Sequence, residues 1–305
     1  MNDVKDILIS LGYSNITEDS KNYRMKPIYR DSSSNTVLSV RKSTGSFIDF
    51  SKQIGGSLRD LVKLSLEFES EDEALKWLNN HGDGGSIGRI SQLRPEVKES
   101  KIFSKSSLEK MMPQHDYWVG RGVSEETLSL FEGGVVHAGK MKDRYVFPVF
   151  DYKKNLIGVS GRDLINDPDS KRPKWKHIGD KGQWKYPMQV NNNIIREKKE
   201  VIVVESIGDM LSLWEAGVKN AAVSFGLQIG LGLLNYFLRV DAQKIILSFN
   251  DDSKNNSAGN KAAKKNFNSL CRHFDSSQIQ IALPPKGDFG EMSKEEILEW
   301  KGKTL

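Results

Sequence analysis

Acidic residues stand in this chain where apolar runs stop. Val201-Ile202-Val203-Val204 ends at Glu205, and Asp209 follows four residues on. Lys244-Ile245-Ile246-Leu247-Ser248-Phe249 ends at Asn250-Asp251-Asp252. Gln278-Ile279-Gln280-Ile281-Ala282-Leu283 leads through Pro284-Pro285-Lys286-Gly287 to Asp288 and then Glu291. Carboxylates gathered within a few ångströms raise one another's pKa and strain a fold unless a cation neutralises them. Mg2+, or Mn2+ in its place, suits such a site, because a hard octahedral ion takes one or two carboxylates and fills its remaining positions with water and phosphate oxygens. Two such ions can orient an attacking hydroxyl and stabilise a leaving phosphate in nucleotidyl transfer. Taken singly, each of these residues also fits a solvated loop or a helix cap; the ordered set is what points to metal chemistry.

The elements that must carry these residues follow from periodicity. Four consecutive β-branched residues before Glu205, with no polar relief, predict a strand buried on both faces, as in a parallel sheet. Asp209 opens the amphipathic run Met210 to Ala216, closed by Gly217, which predicts a helix with its C′ glycine. Helices are also expected over Leu231 to Val240 and Gly259 to Phe274, with a short strand over Ala221 to Phe225. Strands alternating with helices imply a parallel sheet, whose ligands collect at the carboxyl ends of the strands.

A basic stretch lies upstream, Lys171-Arg172-Pro173-Lys174-Trp175-Lys176-His177 to Lys181-Gly182-Gln183-Trp184-Lys185. It holds six basic residues, one acid and two tryptophans. Cations there would contact phosphate while aromatic faces stack on bases, worth about 1–3 kcal/mol per base, so the stretch suits single-stranded nucleic acid. A solvated hairpin with its tryptophans packed on a core is the plain alternative. The formal charge of +5 permits an anionic partner without requiring one.

The whole chain, 305 residues, reads as a protein of about two domains, 37% hydrophobic and 28% charged. No apolar run approaches the roughly 18 residues of a membrane span, and the amino terminus lacks a signal peptide, so no membrane partner and a cytoplasmic location are expected. The one cysteine, Cys271, excludes an internal disulfide and a cysteine-based zinc ribbon, so no zinc is expected. Residues 1–80 read as a small α+β module: a helix over Val4 to Leu11, strands over Met25 to Val40 and Gly45 to Phe50, and helices from Ser57 and from Ser70. His81-Gly82-Asp83-Gly84-Gly85 opens a polar linker over residues 81–101. Residues 102–195 read as mixed α/β, with Ser124 capping a helix. A hairpin is expected there, pairing Arg144-Tyr145-Val146-Phe147-Pro148-Val149-Phe150 with Leu156-Ile157-Gly158-Val159-Ser160-Gly161-Arg162. Residues 196–305 carry the acidic strand ends.

Glu205-xxx-Asp209, then a strand ending in an acidic cluster before Ala258-Gly259-Asn260-Lys261, resembles the Toprim domain of bacterial-type primases, type IA and II topoisomerases and some nucleases. The "Gly-hydrophobic-Ser-Glu-Glu" start at Gly122, the Arg144-x-x-Phe147-Pro148 run and Ile157-Gly158-x-x-Gly161-Arg162 resemble the amino-terminal half of the primase core. The order of motifs is most similar to the compact primases of T-even-like phages, which lack the helicase-binding domain of the bacterial enzymes; a phage-encoded protein would act in the host cytoplasm. The resemblance implies an α/β fold: a Toprim parallel sheet flanked by helices in a primase-type core, plus a zinc-ribbon-like module lacking its metal ligands. It implies a DNA primase making short RNA primers on a single-stranded DNA template from ribonucleoside triphosphates, with a replicative helicase as partner. Glu205 and Asp209 would be catalytic, and Asn250, Asp251, Asp252 and Asp288 would hold Mg2+. Asn250 stands where the family's Asp-x-Asp pair has its first acid, so one negative charge is missing. Arg144, Arg162, Lys171, Arg172, Lys174, Trp175, Lys176, Lys181 and Lys185 would contact template or nucleotide. A Toprim nuclease or topoisomerase-related enzyme, and a catalytically impaired DNA-binding accessory protein, are the other readings.

Overall fold

Short apolar strands joined by tight turns begin the chain. The computed structural model describes residues 4–52, 54–81, 101–165, 171–253, 257–271 and 273–304. Its first elements are α1 (Val4–Ser10), β1 (Thr17–Glu18), β2 (Asn22–Met25), β3 (Leu38–Arg41), β4 (Phe47–Asp49), β5 (Ile54–Gly56), α2 (Leu58–Ser65) and α3 (Glu71–His81). The five strands pair antiparallel in chain order, with Val40 opposite Phe47. Ser57 caps α2 in a reciprocal box with Asp60, and Leu8, Leu61, Val62 and Leu78 close the module's core. Asp49, the last residue of β4, is wholly buried. Arg30 grips it through Nε at 2.7 Å and Nη2 at 2.6 Å, and the Tyr29 hydroxyl donates to it at 2.9 Å. The expected linker lies, but for its end residues His81 and Lys101, outside the described residues.

Two compact units divide the chain. The first takes in residues 1–98 with Asn235–Asp241 and a short segment at 272–275; the second holds everything else. The expected boundary at 195/196 therefore falls inside the second unit.

In that unit, β6 (Met111–Met112), α4 (Asp116–Val119), α5 (Glu125–Leu130), β7 (Gly134–Val136), β8 (Arg144–Phe150), β9 (Leu156–Asp163) and β10 (Trp175–Gly179) precede α6 (Met188–Lys198). The strands form an antiparallel sheet in the order β10-β9-β8-β7-β6. Next come β11 (Glu200–Val204), α7 (Ile207–Glu215), β12 (Ala221–Val223), α8 (Leu231–Arg239), β13 (Lys244–Leu247), α9 (Ala258–Leu270), β14 (Ile279–Ile281) and α10 (Lys294–Lys303). These strands form a parallel sheet, β12-β11-β13-β14, with Val203 opposite Leu247. The expected α/β class and parallel sheet are present, and β11 is central with Val201 to Val204 all at 0% exposure.

One core joins the two sheets. Tyr145, Phe147 and Val149, alternate residues of β8, pack in the same cluster as Ile202 and Val204 of β11 and Met210 and Leu213 of α7. The amide of Val223 donates to the carbonyl of Tyr186 at 2.9 Å, tying the segment before α6 to β12. No helix among the described residues is long and apolar enough to cross a membrane.

Candidate active site

Glu205 stands at the carboxyl end of β11, half-buried, and Ser206 starts α7. The Ser206 amide and hydroxyl donate to Asp209 Oδ2 at 3.1 and 2.7 Å, and the Asp209 amide returns a bond to Ser206 Oγ. This capping box fixes Asp209 in the first turn, where it is 3% exposed. Burial, with Asp288 nearby, pushes the Asp209 carboxyl up to about 6 against the pull of the Ser206 bonds. Burial, then the charges of Asp209 and Asp252, pushes Glu205 up to about 7; Lys174 opposes the rise and Asp288 adds to it.

The loop after β13 brings the second acidic group. The Asp251 amide donates to the Gly287 carbonyl at 2.7 Å, joining this loop to the one that presents Asp288. Asp251 Oδ1 accepts from Asn260 Nδ2 at 2.9 Å, and Asp252 Oδ2 accepts from the Gly259 amide at 3.1 Å. The Ala258-Gly259-Asn260 stretch is thus the clamp that holds the acidic loop on the start of α9. Asp252 and Asp288 act electrically on Glu205.

A cavity of about 240 Å³ opens beside these acids. Asp209, Asp288 and Glu291 line it together with Arg121, Arg162 and Lys174. Tyr117, Trp118 and Trp175 complete the wall, the two tryptophans stacked with centroids 6.3 Å apart and planes 30° apart. Arg162 Nε donates to the Tyr117 hydroxyl at 2.8 Å, and Arg121 stacks on the Tyr117 ring at 4.1 Å. Arg162 Nη1 and the Trp118 indole N–H are buried with no hydrogen-bond partner among the described residues. Unsatisfied donors beside exposed cations suit an anion with several acceptor oxygens.

Among the described residues, no group of three or more His, Cys, Asp or Glu could by itself hold a metal ion. The acids nevertheless raise one another's pKa, and Lys174 opposes the rise at both Glu205 and Asp209. That combination fits a divalent ion whose shell is completed by water and phosphate oxygens, and does not fit a closed all-protein site.

The structure disperses the other expected contacts. Arg144 is 2% exposed and donates from Nη1 to the carbonyls of Gly161 and Pro173, at 3.1 and 3.0 Å. Arg172 pairs with Asp163 at 2.9 Å, Lys176 bonds the Lys140 carbonyl and Lys181 the Phe225 carbonyl. Lys171 is exposed and Lys185 half-buried, and neither lines the cavity. Trp184 is 1% exposed, edge-on to Phe225 and packed on Gly158, so its ring face belongs to the core and is closed to bases. Only Arg162, Lys174 and Trp175 of the expected basic and aromatic set meet the acids here. Tyr117, Trp118 and Arg121 were not singled out by the sequence; Tyr117 and Trp118 stand on α4 and Arg121 on the turn that follows it.

Residues 202–292 match the Toprim-like family model. The chain carries a Toprim-like domain. It is 32% identical over 199 residues to the DNA primase of Borreliella burgdorferi, a match covering 63% of this chain and 36% of that one. The curated relatives are named DNA primases, and the matched part spans between 22% and 58% of their lengths. Its fold is similar to the crystal structure of the Aquifex aeolicus primase, zinc-binding and RNA polymerase domains, at a TM-score of 0.52 and 22% identity, covering 99% of this chain and 83% of that one. It is also similar to a primase catalytic domain bound to single-stranded DNA, at a TM-score of 0.51 and 21% identity, covering 63% of this chain and 71% of that one. The Toprim-like domain contains Glu205, Asp209, Asn250 to Asp252 and Asp288, so the acidic edge and the family match coincide.

Proposed function

We propose that the chain synthesises short RNA primers on a single-stranded DNA template by Mg2+-dependent nucleotidyl transfer from ribonucleoside triphosphates, in the company of a replicative helicase. One observation carries this reading: Asp209 and Asp288, two of the carboxylates that raise the pKa of Glu205, share a cavity with Arg121, Arg162 and Lys174. The similarity to DNA primases, one of them solved with single-stranded DNA, supports the choice of reaction.

Asp252, Asp251 and Asp288 would hold Mg2+, with Asn250 offering a neutral oxygen. Bound there, the ion supplies charge neutralisation and in-line orientation of the transferring phosphate. The planar Arg162 fork, already braced at Nε by Tyr117, presents its remaining N–H groups to phosphate oxygens. Lys174 stands close enough to Glu205 to lower its pKa, so a phosphate drawn to Lys174 comes to the general base. Glu205, at the strand end beside these acids, would accept the proton of the primer's 3′-hydroxyl as general base. Asp209 keeps the helix start, and with it Glu205, in place. Trp175 and Tyr117 offer faces for a base to stack on.

The test is incubation with single-stranded DNA, Mg2+ and labelled ribonucleotides, with and without a replicative helicase, resolved on a sequencing gel. Short RNA that vanishes in Glu205→Gln supports the proposal; shortened DNA instead would mark a Toprim nuclease. Asn250, standing where the family has its first paired acid, favours one second reading, a DNA-binding accessory protein that has lost catalysis. DNA binding without RNA synthesis and without any Mg2+-dependent shift in melting would select it.

A further inference from the structure

An antiparallel sheet with one face on the core is expected to be polar on the other. The outward face of β8, β9 and β10 is polar at one end, with Arg144, Asp163 and Lys176, and apolar at the other. Val159 pairs with Ile178, and Val146 lies in the adjacent row on the same face. Val136, Met141 and Val146 form a small apolar cluster of their own, backed by Met111, Val159 and Ile178. A cavity of about 230 Å³ opens over it, and no described helix lines that cavity; turns at Lys105–Leu108 and Gly139–Met141 flank it.

The rim is cationic. Lys110 and Lys140 are exposed and line the opening, and Lys105 stands exposed on the flanking turn. Lys176 shares this face and reaches the Lys140 carbonyl at 2.8 Å. Among the described residues no carboxylate is paired with Lys105, Lys110 or Lys140, even though Glu109 is on the same stretch. Carboxylates gathered at the cavity of the candidate active site have no counterpart here. An apolar trough with an unpaired lysine rim is complementary to a chain that carries carboxylates around an apolar anchor.

We propose that this trough is a docking groove for an acidic segment of a partner protein, which seats a Leu, Phe or Trp side chain against Val146, Val159 and Ile178 while its carboxylates meet Lys110 and Lys140. The groove lies on the sheet face opposite the core, so docking there leaves the candidate active site open.

The test uses the full chain and fluorescein-labelled dodecapeptides that place Leu, Phe or Trp among Asp and Glu, matched with peptides carrying Lys in place of the acids. Fluorescence polarisation should show saturable binding of acidic peptides alone. Binding should weaken by roughly tenfold or more in the Lys110→Glu, Lys140→Glu double variant. It should weaken likewise in Ala138→Trp, which fills the groove from an exposed position. Thermal melting of each variant, unchanged from the parent, shows that the fold is intact. Lack of saturable binding, equal binding of the lysine peptides, or indifference to Ala138→Trp overturns the proposal. So does a single-stranded DNA oligonucleotide whose binding is lost in the lysine variant and kept in Ala138→Trp, which would make the rim a nucleic-acid surface.

Discussion

Gly259 lies so close to Asn250 that a β-carbon built on it would stand 2.0 Å from the Asn250 carbonyl oxygen. The first turn of α9 can approach the acidic loop only because that side chain is missing. Gly259→Ala must push the two apart, at about 1–3 kcal/mol for an overpacked contact. The Gly259 amide bond to Asp252 would lengthen with it. Thermal denaturation should show the loss, and primer synthesis should fall further than stability does; an unchanged melting temperature would mean that the loop yields freely.

Glu205 and Asp209 give the metal-free protein an unusual pH dependence. Their carboxyls rise from 4.5 to about 7 and from 3.8 to about 6 on folding, through burial first. A raised acid binds more protons folded than unfolded, so its stabilising share is full below the unfolded pKa and is lost as pH climbs through the folded one. Melting temperature in the presence of a chelator should therefore decline between about pH 4 and 7. Glu205→Gln should flatten the upper part of that decline and Asp209→Asn the lower. Added Mg2+ should raise melting more at pH 8 than at pH 5, and Asp288→Asn should blunt the rise.

Cations at the cavity and cations elsewhere should separate in nucleotide binding. Arg162→Ala and Lys174→Ala remove donors that face the acids, and each is expected to weaken triphosphate binding by roughly ten- to a hundredfold, the worth of a charge-assisted hydrogen bond. Lys176→Ala, whose ammonium serves the Lys140 carbonyl, should leave it within about twofold, the scale of an ordinary surface change. Isothermal titration with a non-hydrolysable triphosphate makes the comparison.

The amino-terminal module should depend on Arg30 and not on a metal. Asp49 is wholly buried; burial alone would raise its pKa, and the Arg30 and Tyr29 bonds bring it below the usual range. Arg30→Met strands that charge, at about 3–5 kcal/mol. Hydrogen exchange of β3 and β4 in the full chain should accelerate accordingly, whereas a chelator should leave it unchanged. Because the Asp49 carboxyl is depressed, the module should also weaken as pH falls through the acid range.

The parallel sheet was legible in the sequence because its strands are buried on both faces and so read as unbroken apolar runs ending in acids. The strand β10 was not. Lys171 to Lys185 reads as a basic stretch for nucleic acid or as a hairpin with its tryptophans on the core, and the strand divides it: alternate residues go to opposite faces, Trp175 and His177 inward and Lys176 and Ile178 outward. The helix α6 was hidden for another reason. Asn191-Asn192-Asn193 are weak helix formers and Pro187 offers no side-chain cap, so the helix is held by tertiary bonds, Asn191 Nδ2 to the carbonyls of Lys219 and Ala221 at 3.2 and 2.7 Å. Arg144 and Arg162 look equivalent in sequence, and only the hairpin register separates one buried under Pro173 from one at the cavity.

The cationic wall of the cavity is built on the antiparallel side of the second unit and the carboxylates on the parallel sheet, with aromatic rings between them, Phe131 edge-on to Trp214 at 5.0 Å and Trp184 edge-on to Phe225 at 4.8 Å. These rings belong to the core that both sheets share, so their bulk bears on the spacing between the strand that carries Arg162 and the elements that carry the acids. Enlarging or trimming one of them would retune substrate fit from a position that no substrate touches. Screens for altered nucleotide preference would then recover changes in the middle of the protein as readily as at its mouth.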